Sequence, residues 1–170
     1  MKNQDPKYVF EKAYNRVLNF VAYQQRSEHE VIGRINRYLS KVTSLSIDQK
    51  QEVKDKILAE FKDQKLINDD NFAKMYVSQK MQSPKPASKL IIERFLYKKG
   101  IPKDIIKEAT SVISSENEFD EAMKAADKKF RNLKLNDLRK AKQKLTAYLF
   151  SKGFQPSTVY SVVDTKFKVQ

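Results

Sequence analysis

Two stretches of this chain repeat one another at a constant offset. Phe95-Leu96-Tyr97-Lys98-Lys99-Gly100-Ile101-Pro102 aligns with Tyr148-Leu149-Phe150-Ser151-Lys152-Gly153-Phe154-Gln155, with Ile92 matching Leu145 and Ile106 matching Val159. In both copies an apolar stripe at helical spacing runs into Lys-Gly, and a proline (Pro102, Pro156) then sits where another stripe begins. Ile35, Tyr38, Leu39 and Lys41 hold the same frame in the first third, which departs at Val42-Thr43-Ser44-Leu45, where no glycine occurs. Only 3 Gly and 5 Pro interrupt 170 residues, and the apolar period is helical almost throughout. Phe10/Ala13/Tyr14/Val17/Val21, Val31/Ile32/Ile35/Tyr38/Leu39 and Val53/Ile57/Leu58/Phe61 form the first three stripes. Phe72/Tyr76/Val77, Ile91/Ile92/Phe95/Leu96 and Ile105/Ile106/Ala109/Val112/Ile113 form the next three. Phe119/Ala122/Met123/Ala126/Phe130, Leu138/Ala141/Leu145/Tyr148/Leu149 and Val159/Val162/Val163/Phe167 form the last. The spacing predicts an all-α chain of nine helices, although Thr158–Val163 would also suit a strand. The helices group as three tandem three-helix repeats at 7–65, 66–114 and 117–168. Units so small cannot bury their apolar faces alone, so they are expected to stack into an elongated, curved body.

The punctuation supports these boundaries. Ser27-Glu28-His29-Glu30 reads as a capping box opening the second helix. Asn68-Asp69-Asp70 offers cap oxygens to the fourth. Gly100 and Gly153 stand where a left-handed residue closes a helix.

The charge is evenly spread. There are 34 Lys+Arg against 21 Asp+Glu, a formal +13, and successive stretches 1–50, 51–110 and 111–170 carry +4, +4 and +5. Such a balance points to a polyanionic partner contacted along the folded body, not through a basic tail. On the second helix Arg34, Arg37 and Lys41 recur at i, i+3 and i+7. On the seventh, Lys124, Lys128 and Arg131 recur opposite the apolar stripe. Like charges so placed repel by a few tenths of a kcal/mol per pair, so an unrelieved stripe points to an external anion. From Lys124 to Lys144 there are nine basic residues, Lys134 among them, and only two acids, Asp127 and Asp137. The candidate set for DNA or filament contact is therefore Arg34, Arg37, Lys41, Lys98, Lys99, Lys124, Lys128, Lys129, Arg131, Arg139, Lys140, Lys144 and Lys152. Each stripe also admits the plainer reading of a solvated face. Tyr97 and Tyr160 point away from their stripes and could stack on a base.

Chemistry is poorly provided for. Without cysteine there is no thiol nucleophile, disulfide or thiolate zinc site, and one histidine cannot make a multi-histidine metal site. His29, between two glutamates in a first turn, reads as a surface residue. Asp69 and Asp70 read as caps. There is no phosphate-binding loop, dinucleotide fingerprint or nucleophile elbow. No enzyme activity, cofactor or metal is expected. No apolar run approaches a membrane span, and a soluble, cytoplasmic protein is expected.

The segment Leu66-Ile67-Asn68-Asp69-Asp70-Asn71-Phe72-Ala73 resembles the hallmark of the RecX family of recombinase regulators. Arg26-Ser27-x-x-Glu30-Val31 precedes it, and Leu96-x-x-Lys99-Gly100-Ile101 and Leu149-x-x-Lys152-Gly153-Phe154 follow, with Lys128-Lys129 in the third repeat. The signature residues Leu66, Asp69, Asp70, Phe72, Ala73, Gly100 and Gly153 read as structural. Lys65 stands where the family usually has glycine and Val42-Thr43 replaces the first Lys-Gly, departures that bear on turns of the first repeat. Some relatives look longer at the N-terminus. The resemblance implies a monomer that binds the RecA recombinase filament on single-stranded DNA, with double-stranded DNA a second candidate. It also implies inhibition of ATP hydrolysis, strand exchange and co-protease activity, and so regulation of DNA repair, recombination and the SOS response. The alternative is a helical-repeat nucleic-acid-binding protein with no recombinase partner.

Overall fold

A computed structural model describes residues 5–133 and 137–168, which places Lys134 outside the described residues. Among those described there are nine helices and no strand: α1 (Pro6–Tyr23), α2 (Glu28–Leu39), α3 (Ile47–Asp63), α4 (Asp69–Met81), α5 (Lys89–Lys98), α6 (Lys103–Thr110), α7 (Ser115–Phe130), α8 (Leu138–Ser151) and α9 (Pro156–Lys168). The Thr158–Val163 stretch is helical. Its three buried valines, Val159, Val162 and Val163, share one face of α9.

Caps set most of the helix starts. Capping boxes open α2 (Ser27 with Glu30), α3 (Ser46 with Gln49) and α7 (Ser114 with Asn117), each satisfying two otherwise unpaired backbone donors. Asp5 and Asp137 accept from the first turns of α1 and α8. Of the three oxygens offered to α4, Asn68 serves that role, accepting from Asn71 N at 2.8 Å. Asp69 does not follow the sequence expectation. Its Oδ1 accepts from Glu28 N at 2.8 Å and so caps α2, a helix far earlier in the chain.

The chain divides into two compact units, one of Met1–Ala73 with Lys98–Pro102, the other of Lys74–Tyr97 with Lys103–Gln170. In the first, α1–α3 enclose Val9, Ala13, Val17, Val31, Ile35, Leu39, Val53, Ile57 and Phe61, with Tyr14 edge-on to Phe61. In the second, α7–α9 enclose Ala122, Ala125, Ala126, Leu145, Leu149, Phe154, Val159 and Val162, while Tyr76 of α4 stacks on Phe95 of α5 with ring centroids 4.1 Å apart. Three residues placed on buried stripes are exposed instead. Val112 lies beyond α6, which ends at Thr110; Leu138 is the first residue of α8; Ile91 sits in the first turn of α5.

One joint occurs in both units. In the first, buried Ser27 at the start of α2 donates its hydroxyl to the Lys99 carbonyl at 2.6 Å, and Lys99 Nζ reaches Glu30 Oε1 at 2.6 Å. In the second, buried Ser88 at the start of α5 donates to the Lys152 carbonyl at 2.7 Å. Each accepting lysine precedes a glycine at φ +78°, Gly100 or Gly153. A Cβ on Gly100 would lie 2.4 Å from His29 Cβ, and one on Gly153 would lie 3.0 Å from Ser88 Oγ. Both glycines are therefore required twice, for a left-handed turn and for close approach to another helix's first turn.

Candidate nucleic-acid interface

The cations divide into those engaged by acids or backbone joints and those that face outward without an acid. Arg34 and Arg37 of α2 are exposed, as is Lys41, which the spacing put on the same helix but which lies two residues beyond its end at Leu39; none of the three forms an ion pair among the described residues. The Arg34 guanidinium lies 5.4 Å from the centre of the Phe20 ring. Arg16 of α1, which the sequence reading did not select, joins them. Its guanidinium lies 5.1 Å from the centre of the Tyr38 ring, and all four cations line one shallow cavity. Nothing in the local spacing of α1 marks Arg16, because its neighbours come from the packing of α1 on α2.

In the second unit the seventh-helix stripe is only partly open. Lys124 Nζ is bound to Glu121 Oε1 at 2.6 Å, a bond that raises the lysine's pKa, so the stripe is not unrelieved as its spacing suggested. Lys128 and Arg131 remain exposed without an ion pair among the described residues. Both acids of this stretch are in use: Asp127 pairs with Lys166, and Asp137 Oδ2 lies 3.3 Å from Lys140 Nζ. Lys129 and Lys152 flank the Tyr148 ring, each 5.4 Å from its centre. Arg139 and Lys144 on α8 are exposed.

Lys98 is exposed at the end of α5, whereas Lys99 is committed to Glu30 and the Ser27 joint. Burial pushes the Glu30 carboxyl up. The Lys99 ammonium, the Ser27 N–H and the charges of Lys99 and Arg26 outweigh that effect and hold it below its ordinary pKa. Tyr97 is 65% exposed and borders an open groove of about 360 Å³ with Arg94, Lys103 and Lys107. Tyr160 is also exposed, but it meets Phe150 edge-on. His29 is exposed and packs against Gly100. The described residues contain no group of three or more His, Cys, Asp or Glu able to hold a metal ion, and no helix long and apolar enough to cross a membrane.

Family models for the second and third three-helix domains of RecX match residues 68–109 and 116–163. The chain belongs to the RecX family. It is 30% identical over 152 residues to the regulatory protein RecX of Limosilactobacillus reuteri (strain DSM 20016), covering 89% of this chain and 53% of that protein. It is 28% identical over 160 residues to the regulatory protein RecX of Clostridioides difficile (strain 630), covering 94% and 69%. A crystal structure of RecX from Lactobacillus salivarius superposes with a TM-score of 0.75 at 25% identity, covering 92% of this chain and 96% of that one. The chain spans about half the length of curated relatives such as the L. reuteri protein. The family matches place Phe72, Ala73 and Gly100 in the second domain and Gly153 in the third. RecX relatives are regulatory proteins by name, and regulation of DNA repair and recombination fits that name.

Proposed function

We propose that this chain binds the RecA recombinase filament on single-stranded DNA and restrains its ATP hydrolysis, strand exchange and co-protease activity. It would do so in the cytoplasm, as a monomer, with 7–65, 66–114 and 117–168 as its three-helix units. Membership of a family of regulatory proteins carries the reading. The outward-facing cations support it: Arg34, Arg37 and Lys41 on one unit, and Lys128, Arg131, Arg139 and Lys144 on the other. Inhibition of this kind needs no reacting group. It needs complementary charge held in a fixed pattern, which steers association and suppresses wrong partners.

DNA-dependent ATP hydrolysis by RecA, measured as this chain is added to near-stoichiometric amounts, should fall, and strand exchange with it. Unchanged hydrolysis and strand exchange in excess protein would overturn the proposal. If bare single strands are also bound as tightly as the filament, the chain is a nucleic-acid-binding protein without a recombinase partner.

A further inference from the structure

We propose that Arg16, Arg34, Arg37 and Lys41 form a binding pocket for a phosphate group. The inference rests on the nucleic-acid half of the function proposed above and is independent of the recombinase.

The five residues lining the cavity, these four and Tyr38, include no carboxylate. The space, about 110 Å³, suits one tetrahedral anion and not a base or a folded peptide. Helix geometry accounts for part of the cluster only. Cations near a helix C-terminus are stabilised by the helix dipole, which covers Arg37 and Lys41. That effect fades within the last turn, so it does not reach Arg34 in mid-helix, and Arg16 belongs to α1. Four positive groups crowd one cavity where interleaved glutamates would have relieved them, so an anion from outside is the missing partner.

Aromatic rings hold two of the guanidiniums in place. Arg16 lies over Tyr38 and Arg34 over Phe20, an arrangement that lowers the ordering cost of binding. Three guanidinium forks suit phosphate better than carboxylate. Each fork can donate two parallel bonds, and a phosphate presents oxygens in several directions where a carboxylate presents two. The phosphate could come from the backbone of a strand or from a free phosphate compound.

The test uses the whole chain. Binding of a labelled oligothymidylate is followed by fluorescence anisotropy across a salt series, and binding of inorganic pyrophosphate by phosphorus NMR. Arg16→Gln and Arg37→Gln are compared with Lys168→Gln, which removes the same charge from an exposed site on α9. Loss of one charge-assisted contact should weaken oligonucleotide binding by roughly tenfold. It should also flatten the slope of log K against log salt by about 0.7. Lys168→Gln should stay within about twofold of the wild type, as expected of an exposed charge that does not line the pocket.

Oligonucleotide binding that Arg16→Gln and Arg37→Gln weaken, with no pyrophosphate binding by the wild type, assigns the site to a strand. Pyrophosphate binding that Arg16→Gln abolishes assigns it to a free phosphate compound. Both outcomes sustain the pocket. It falls if Arg16→Gln and Arg37→Gln match Lys168→Gln in both assays, or if poly-L-glutamate binds as tightly as the oligonucleotide and loses as much affinity in the variants. Arg16→Lys, which keeps the charge without the fork, should recover only part of the affinity. Thermal melts identify any variant that does not fold, and Arg37→Gln then carries the test. RecA hydrolysis plays no part here, so failure of the pocket and failure of the regulatory role remain separable.

Discussion

Lys65 holds φ +56°, the one non-glycine residue with positive φ among those described, at the turn that ends α3. Gln64 N and Lys65 N bond back to the carbonyls of Glu60 and Lys62, and Leu66 N to that of Phe61, so the helix closes as it would around a glycine. A lysine there bears the left-handed penalty that glycine avoids. Lys65→Gly should therefore raise stability by about 0.5–1 kcal/mol in urea denaturation, the left-handed relief exceeding the added freedom of the unfolded chain. Asp69 calls for a different substitution. Burial raises its pKa, yet the carboxyl caps α2 through the Glu28 N–H. Asp69→Ala should cost about 1 kcal/mol, a typical loss for a missing cap, while Asp69→Asn, which keeps the acceptor, should cost less. Glu118 is the least expected residue. It is 5% exposed on α7 and its Oε1 has no hydrogen-bond partner. Burial pushes its pKa up, against the Gln155 N–H and Lys89, which pull it down. A raised acid pKa means the folded state holds the proton more firmly than the unfolded one. Stability is then lost as pH rises from the ordinary glutamate value through the folded one. Glu118→Gln should be more stable than the parent at pH 7, and the gain should vanish at pH 4 and below. An equal gain at both pH values would refute the assignment.

Among the elements, the two serine–lysine joints show what spacing reveals and what it hides. Gly100 and Gly153 were legible as helix ends because a lysine and an apolar stripe precede each and a proline follows. The serines at the other side of each joint were not. Ser27 reads locally as a capping residue and nothing more, since its bond to the Lys99 carbonyl joins residues far apart in the chain. Asp69 misled for the same reason: its local position suits α4, and only the packing turns it toward α2. The exposed Leu138 and Val112 mark another limit, because an apolar period continues past the point where a helix starts or stops facing the core. Both joints should resist added methyl groups, to different degrees. Gly100→Ala meets the left-handed penalty and an overlap with His29 Cβ, which is tied to its own backbone and cannot swing aside. A cost above about 2 kcal/mol is expected from those two terms. Gly153→Ala meets a hydroxyl at 3.0 Å and should cost about 1–2 kcal/mol, mostly conformational. Equal losses in chemical denaturation would mean that the His29 contact yields. Acid should loosen the first joint as well. Glu30 is held below its ordinary pKa, so its contribution is present above that ordinary value and is lost as pH falls through the folded one.

At the scale of the whole molecule, the count of 34 Lys+Arg overstates the cations available to a partner. Lys99 is committed to Glu30, Lys62 to Glu28, Lys124 to Glu121 and Lys166 to Asp127. Glu121, three residues before Lys124, carried the signal for that pair, which reading the stripe as unrelieved passed over, whereas the pairing of Lys99 needed the fold. The cations left facing outward make a sharper forecast than the net charge does. If the seventh-helix face meets DNA, Lys128 and Arg131 carry the contact and Lys124 adds little. Lys124→Gln should then leave single-strand affinity within about twofold, as for an exposed pair worth little in salt. Lys128→Glu with Arg131→Glu should weaken it at every salt concentration. The double change should also flatten the slope of log K against log salt by about 1.4, the share of two phosphates on a single strand. A slope near −3.5 in the wild type would correspond to about five phosphates, leaving about three for the rest of the chain after the double change. An unchanged slope would make the α7 cations a solvated face. Inhibition of RecA that nevertheless survived the double change would then place the decisive contacts on the recombinase itself.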